Sequence, residues 1–308
     1  MGAALPSRSV AILTSPFDLD EPERYRAWRD WKLAHHPTGV DDLVVDVADP
    51  RRLSDAERAR LLDLLSRCNQ ALYRSPVVDA DKTLPQRLAA QLGMQQLDAN
   101  WLADEDGISS ITVSAAHDGR GGFIPYTDRA IRWHTDGYYH PAERRIRGMV
   151  LHCVRPAAFG GESALLDHEM AYIALRDADP AHIHALMQPA AMTIPARTDD
   201  DGVARPAQSG PVFAVEADGS LHMRYTARTR SIEWASDAAT QAAVAALAAV
   251  LEAPLPWILR TTLQAGMGVV AHNVLHDRSA FHDEPAQPRL LYRARFTDRS
   301  AAPVAAWR

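Results

Sequence analysis

Cysteine is almost missing: the 308-residue chain has two, Cys68 and Cys153, far apart and without metal-ligand spacing. A disulfide framework is thereby excluded, and a reducing cytoplasm is the simplest setting. Long apolar runs are missing too. None approaches the ~20 residues needed to cross a bilayer as a helix, so no membrane partner is expected. Between Met1 and Phe17, Pro6, Arg8 and Ser9 break the chain before a long apolar core forms, so a secretory signal is not expected. Excess positive charge is absent. The net charge of −6 gives no electrostatic reason to expect nucleic acid or an anionic membrane. There is also no internal repeat and no low-complexity tail. What remains is a globular balance, 47% hydrophobic and 23% charged, with ample material for a core. The length leans towards two domains, although one elaborated β-fold of this size is ordinary.

The N-terminal portion mixes helices and strands. Asp20-Glu-Pro-Glu-Arg predicts a helix to about His35, with Pro near its first turn. Asp42–Val47 reads as a strand. Ser54 with Glu57 three residues on is a capping-box pattern opening a helix to about Cys68, followed by a strand over 71–74. Short helices are expected near 84–93 and 96–103. From Ile108 the texture changes to short apolar, β-branched runs separated by turns. Strands are predicted at 108–114, 148–154, 163–166, 191–195, 212–216, 221–225, 257–263, 268–271 and 290–296, the pattern of a sandwich or barrel. The Ala-rich segment 237–252 is the clearest helix and interrupts that series. Residues 196–211, polar with two prolines, read as an exposed loop that would act as a lid.

Chemistry concentrates first at Trp133-His134-Thr135-Asp136. A His and an Asp one residue apart place an imidazole and a carboxylate on the same side of an extended segment. These are two of the three ligands of a facial 2-His-1-carboxylate iron site. Near the other end an apolar run leads to His276, and Arg289 follows thirteen residues later, room for a turn and a return strand. Arg suits a dicarboxylate because its planar fork meets a carboxylate with two charge-assisted bonds.

At this point the sequence resembles the Fe(II)/2-oxoglutarate-dependent oxygenases of the taurine dioxygenase (TauD/TfdA-like) family. Four matches in order carry the resemblance: Trp133-His-Thr-Asp136, Phe159-Gly-Gly-Glu-Ser163, Leu275-His-Asp-Arg278 and the Arg289…Arg293 pair. They span roughly residues 70–297. The resemblance implies a mainly β fold with helical decoration, a double-stranded β-helix (jelly roll). Residues 1–105 would pack on a catalytic core at 106–308 within one structural domain. It implies Fe(II) held by His134, Asp136 and His276, with 2-oxoglutarate and O2 as cosubstrates and succinate and CO2 as products. Arg289 and the Ser163 hydroxyl would hold the distal carboxylate of 2-oxoglutarate. Arg293 becomes a candidate anion anchor for substrate, or else a structural partner; Trp133, Tyr138 and Tyr139 either line the pocket or pack as aromatics. The presence of Asp136 argues for oxygenation, since related halogenases lack this carboxylate. Epoxidation and desaturation use the same ligands. Two positions depart from the family pattern: Asp277 replaces the usual Gly, and Val270-Ala271 stands where an Asp-Asn pair is common.

His272 and His282 compete with His276 for the third ligand. A His272-x-x-x-His276 pair would suit zinc on a helix, but the run before it is β-branched and strand-like. Arg224, Arg228 and Arg230 form a basic cluster beside aromatics. Facing the pocket they would favour a small anionic or zwitterionic substrate; otherwise they are a solvated loop or a contact in a homo-oligomer. Rival readings are a zinc hydrolase on the same triad, in which the Arg289 spacing has no purpose, and a non-catalytic β-barrel binding protein.

Overall fold

Two sheets, one large and apolar, one small, bracket a shared interior in the computed structural model. It describes residues 15–98, 104, 106–114, 123–199, 202–228, 232–304 and 307. In chain order the ten strands of these sheets are β1 (Val44–Asp46), β2 (Gln70–Arg74), β3 (Ser109–Ile111), β4 (Ile131–His134) and β5 (Gly148–Arg155), then β6 (Ser163–Leu166), β7 (Leu259–Thr261), β8 (Met267–Ala271), β9 (Leu275–Arg278) and β10 (Leu290–Phe296). The larger sheet runs β1-β2-β8-β5-β10-β3 and the smaller β7-β6-β9-β4. Only β1 and β2 pair in parallel; the other ladders are antiparallel. The N-terminal strands therefore extend the same sheet that carries β5, β8 and β10.

Local chemistry explains the elements that position the site. β8 is Met-Gly-Val-Val-Ala, buried on both sides between β2 and β5, as expected of a central strand. In β10 the side chains alternate: Tyr292, Ala294 and Phe296 enter the main core, while Leu291, Arg293 and Arg295 turn towards the interior between the sheets. The helix Asp55–Cys68 begins with the expected capping box, the Ser54 hydroxyl accepting from the Glu57 amide and the Glu57 carboxylate accepting from the Ser54 amide. It buries Leu61, Leu64 and Leu65 against the larger sheet. The Ala-rich helix spans Ala238–Glu252 behind an Asp237 cap. It packs with helices His168–Ala178 and Pro180–Leu186 in a second core.

Several expectations need correction. The two helices between 168 and 186 are not anticipated above, although Asp167 and Asp179-Pro180 cap them in the usual way. The segment 196–211 is not a plain loop: it carries strands at 197–199, 202–205 and 208–210, with residues 200 and 201 outside the described set. The helix expected near 84–93 stops at Gln91. The one expected at 96–103 falls largely outside the described residues, and Leu97 instead bridges to Phe296. Cys68 and Cys153 are both buried and unpaired. Among the described residues no helix is long and apolar enough to cross a membrane.

Candidate active site

The antiparallel register of β9 on β4 sets His276 directly opposite His134, and the Asp136 carboxylate completes the group. One ligand atom from each of the three lies within 4.8 Å of the others. The rings of His134 and His276 are tilted by 50° with centroids 4.2 Å apart. Each imidazole is fixed by its own strand. Nδ1 of His134 lies 2.9 Å from the Arg132 carbonyl, and Nδ1 of His276 lies 2.9 Å from the Val274 carbonyl. A carbonyl only accepts, so Nδ1 carries the proton in both rings and Nε2 keeps its lone pair. Burial and the neighbouring His276 push His134 down to about 3, so this imidazole is neutral at ordinary pH.

Asp136 is held from both ends. Its amide donates to Asn273 Oδ1 at 2.7 Å, and its carbonyl accepts from Asn273 Nδ2 at 2.9 Å. Asn273 Nδ2 also donates to the Ile146 carbonyl, and the residue adopts φ +53°, a left-handed conformation that Asn tolerates. Gly137 follows with φ +64°, where a Cβ would meet Ile146 Cγ1 at 2.5 Å, so only glycine fits this turn. Burial alone would raise the Asp136 carboxyl, but the Arg293 and Arg295 charges hold it well below the usual carboxylate range. Arg293 Nη1 donates to Asp136 Oδ1 at 3.0 Å. The second oxygen, Oδ2, is buried with no hydrogen-bond partner. An orphaned carboxylate oxygen facing two imidazoles with free Nε2 atoms is a fit for a divalent metal. Two neutral nitrogens and one carboxylate, with no thiolate, suit Fe(II).

The interior around this triad has two lobes. One, of about 460 Å³, is walled by Ile111, Met149, Leu151 and Leu291 and contains Ser163, His276 and Arg289. Arg289 is buried, its Nη1 has no partner, and its guanidinium lies 5.0 Å over the Phe281 ring. Gly160, at φ +74°, approaches the Ala280 backbone too closely for any Cβ, which seats the Phe159-Gly-Gly turn beside Arg289. The other lobe, of about 660 Å³, is formed by Phe123–Tyr126, Gly137–Tyr139, Arg132, Thr226, Arg228 and Arg295. His134 and Arg293 border both.

The remaining residues singled out above separate clearly. Tyr138 and Tyr139 line the second lobe, and the Tyr139 hydroxyl accepts from Arg295. Trp133 does not line the interior around the triad: neighbours on a strand face opposite ways, and it packs in the second core instead. His272 is excluded from the triad because Asn69, Ser300 and Arg299 engage its ring. His282 sits exposed on a two-residue strand with Phe281. Asp277 stabilises the sheet, its carboxylate accepting from the Ala164 amide. Arg224 is buried and donates to the carbonyls of Gln208, Met192 and Gly210, away from the triad. Arg228 does face the second lobe, while Arg230 lies outside the described residues. Sequence reading missed Asn273, Arg132 and the Asp98–Arg295 ion pair. An Asn in the apolar run three residues before His276 was the available signal for the first.

Comparison with known proteins agrees with this geometry. Residues 31–295 match the family described as "Taurine catabolism dioxygenase TauD, TfdA family". A uridine-5'-phosphate dioxygenase of Streptomyces sp is 30% identical over 205 residues, 65% of this chain and 72% of that protein. One from Amycolatopsis sp is 31% identical over 176 residues, 55% of this chain and 62% of that protein. Among solved structures, the non-heme iron oxygenase OrfP in complex with Fe and alpha-ketoglutaric acid superposes with a TM-score of 0.60 at 18% identity, covering 92% of this chain and 97% of that one. An asparagine oxygenase gives 0.57 at 15% identity, covering 94% and 88%. At these identities the structural likeness speaks for the fold, the jelly-roll architecture of iron oxygenases. The family match covers most of the chain, and the chain therefore belongs to the TauD/TfdA family as an Fe(II)- and 2-oxoglutarate-dependent dioxygenase.

Proposed function

We propose that this dioxygenase hydroxylates a small anionic or zwitterionic substrate in the lobe of Tyr138 and Arg228, while 2-oxoglutarate occupies the lobe of Arg289. The observation that carries the reading is the meeting of two differently built lobes at His134, beside an orphaned Asp136 oxygen. In this reading His134, Asp136 and His276 hold Fe(II), which when bound supplies the O2 activation that oxidises both 2-oxoglutarate and substrate. The chain's own residues do the rest. The carbonyls of Arg132 and Val274 orient the two imidazoles, and Asn273 fixes the backbone of Asp136. Arg293 occupies Oδ1 of Asp136 and leaves Oδ2 for the metal. Arg289, buried and short of one acceptor, takes the distal carboxylate of 2-oxoglutarate with help from the Ser163 hydroxyl. Met149, Leu151, Ile111 and Leu291 keep that lobe apolar, which strengthens the charge-assisted bonds inside it.

Both curated relatives are named for uridine 5'-phosphate, and the asparagine oxygenase structure contains 3-hydroxyasparagine and succinate. Anionic and zwitterionic small molecules are therefore the first to test. Anaerobically prepared, Fe(II)-loaded protein is exposed to O2 with 2-oxoglutarate and, separately, uridine 5'-phosphate, amino acids, sulfonates and small carboxylates. Succinate that requires Fe(II) and rises with one of these supports the reading and starts to define the substrate. A chain that binds neither Fe(II) nor 2-oxoglutarate would falsify it.

A further inference from the structure

The second lobe is unusually cationic. Four arginines, Arg132, Arg228, Arg293 and Arg295, line it together with one carboxylate, Asp136. Two of the four are already engaged. Arg293 donates to Asp136, and Arg295 donates to Asp98 Oδ2 at 2.7 Å and to the Tyr139 hydroxyl. The other two, both exposed, make no ion pair among the described residues. The backbone brings them together. Thr226 bridges His134 in antiparallel register, with Ala227 N donating to the Trp133 carbonyl and Thr135 N to the Tyr225 carbonyl. The bridge holds the 226–228 segment alongside β4, and Arg132 and Arg228 both line the lobe. Two cations lining one lobe without a carboxylate of their own repel each other, an effect that an anion between them would remove. Tyr138 lines the same lobe beside Thr226 and Arg228.

We propose that Arg132 and Arg228 form a two-arginine clamp for a doubly charged oxyanion, a phosphate monoester carried by the substrate. The inference rests on the reading of this lobe as the substrate site and deepens it. Two guanidiniums in one lobe offer two planar forks, which match the oxygens of a tetrahedral dianion better than the single charge of a carboxylate. Arg293 is then not the substrate's anion partner. It positions Asp136, and substrate recognition moves to the β4 edge and the 225–228 segment.

The test is thermal unfolding of the metal-free full-length chain, titrated with inorganic phosphate against chloride at matched ionic strength. Phosphate is expected to raise Tm with a saturating dose response. Arg132→Gln and Arg228→Gln should each raise the half-saturating concentration at least about tenfold, the loss of roughly one charge-assisted bond. Without phosphate each variant should melt at or slightly above the parent, because removing one cation relieves the repulsion; this also shows that the variants fold. Arg228→Lys, which keeps the charge but loses the fork, should fall between. Equal half-saturation in parent and variants would overturn the clamp, as would no response of the parent. Acetate protecting as well as phosphate would overturn the dianion assignment. Calorimetry of 2-oxoglutarate on the Fe(II)-loaded parent under nitrogen separates the two levels. Failure there sinks the substrate-site reading itself, whereas 2-oxoglutarate binding beside an indifferent clamp sinks only this inference.

Discussion

The two lobes that meet at His134 are built from different material. The Arg289 lobe is walled by strand residues: Met149 and Leu151 on β5, Leu291 on β10, Ser163 on β6, His276 on β9. The Arg228 lobe is walled mostly by connections: Phe123–Tyr126, the Gly137–Tyr139 turn and the 226–228 segment. Strands sit in ladders that fix each side chain from two neighbours, whereas connecting segments change length and sequence at little cost to the core. The division suits an enzyme whose cosubstrate is constant across a family and whose substrate is not. In the proposed assignment, recognition of 2-oxoglutarate belongs to the frame, and recognition of substrate to what is hung on it.

The sharpest test of this division lies at the shared border. His276→Ala should abolish metal retention, read by metal analysis after desalting, and lower succinate formation by a factor on the order of a thousand. His272→Ala should leave the metal bound. It should cost about 1–3 kcal/mol of stability in denaturant unfolding, because Asn69 and Ser300 lose a buried partner. The reverse pattern would overturn the ligand assignment. Next in size, Arg289→Gln should weaken 2-oxoglutarate binding by about a hundredfold, or 2–3 kcal/mol, measured by calorimetry on metal-loaded protein. If it instead changed the preference among anions tested as substrate, the lobes would have been assigned the wrong way round.

The smallest expected effect concerns the frame alone. Burial pushes His152 down to about 4, and burial with the Arg145 charge pushes His222 down to about 3. In the unfolded chain both protonate near 6.5, so the unfolded state binds more protons between that pH and the folded values. Stability is therefore complete above about pH 6.5 and is lost as pH falls towards 4. Tm of the metal-free chain should decline across this window, and His152→Gln should make the decline shallower. A flat profile would show that these imidazoles are not held neutral by the core.

Much of the candidate site was legible in the sequence because the three clustered residues come in short motifs whose spacing reports strand geometry. His134 and Asp136 share one extended segment, and His276 closes an apolar run. What was not legible depends on pairing between distant segments. Arg132 and Arg228 line one lobe only because the Thr226–His134 bridge brings their segments together, and Asn273 reaches Asp136 only after β8 and β9 are in place. Trp133 was misplaced for a local reason: it is adjacent to a ligand in sequence, and adjacency on a strand means the opposite face. The 168–186 helices were lost among strand-like apolar runs, and their caps, Asp167 and Asp179, were the better signal.

The clasp of Asn273 on Asp136 joins residues 137 positions apart, and the Arg293–Asp136 pair joins residues 157 apart. Neither can form while the chain is still short. During synthesis the first His and its neighbouring Asp leave the ribosome early and wait, without the strand that will present their partner, until the last third of the protein has emerged. Contacts of such long range also close slowly. A nascent or truncated chain therefore exposes His134 and Asp136 without His276, and the proposed metal site is assembled only when the barrel is nearly whole.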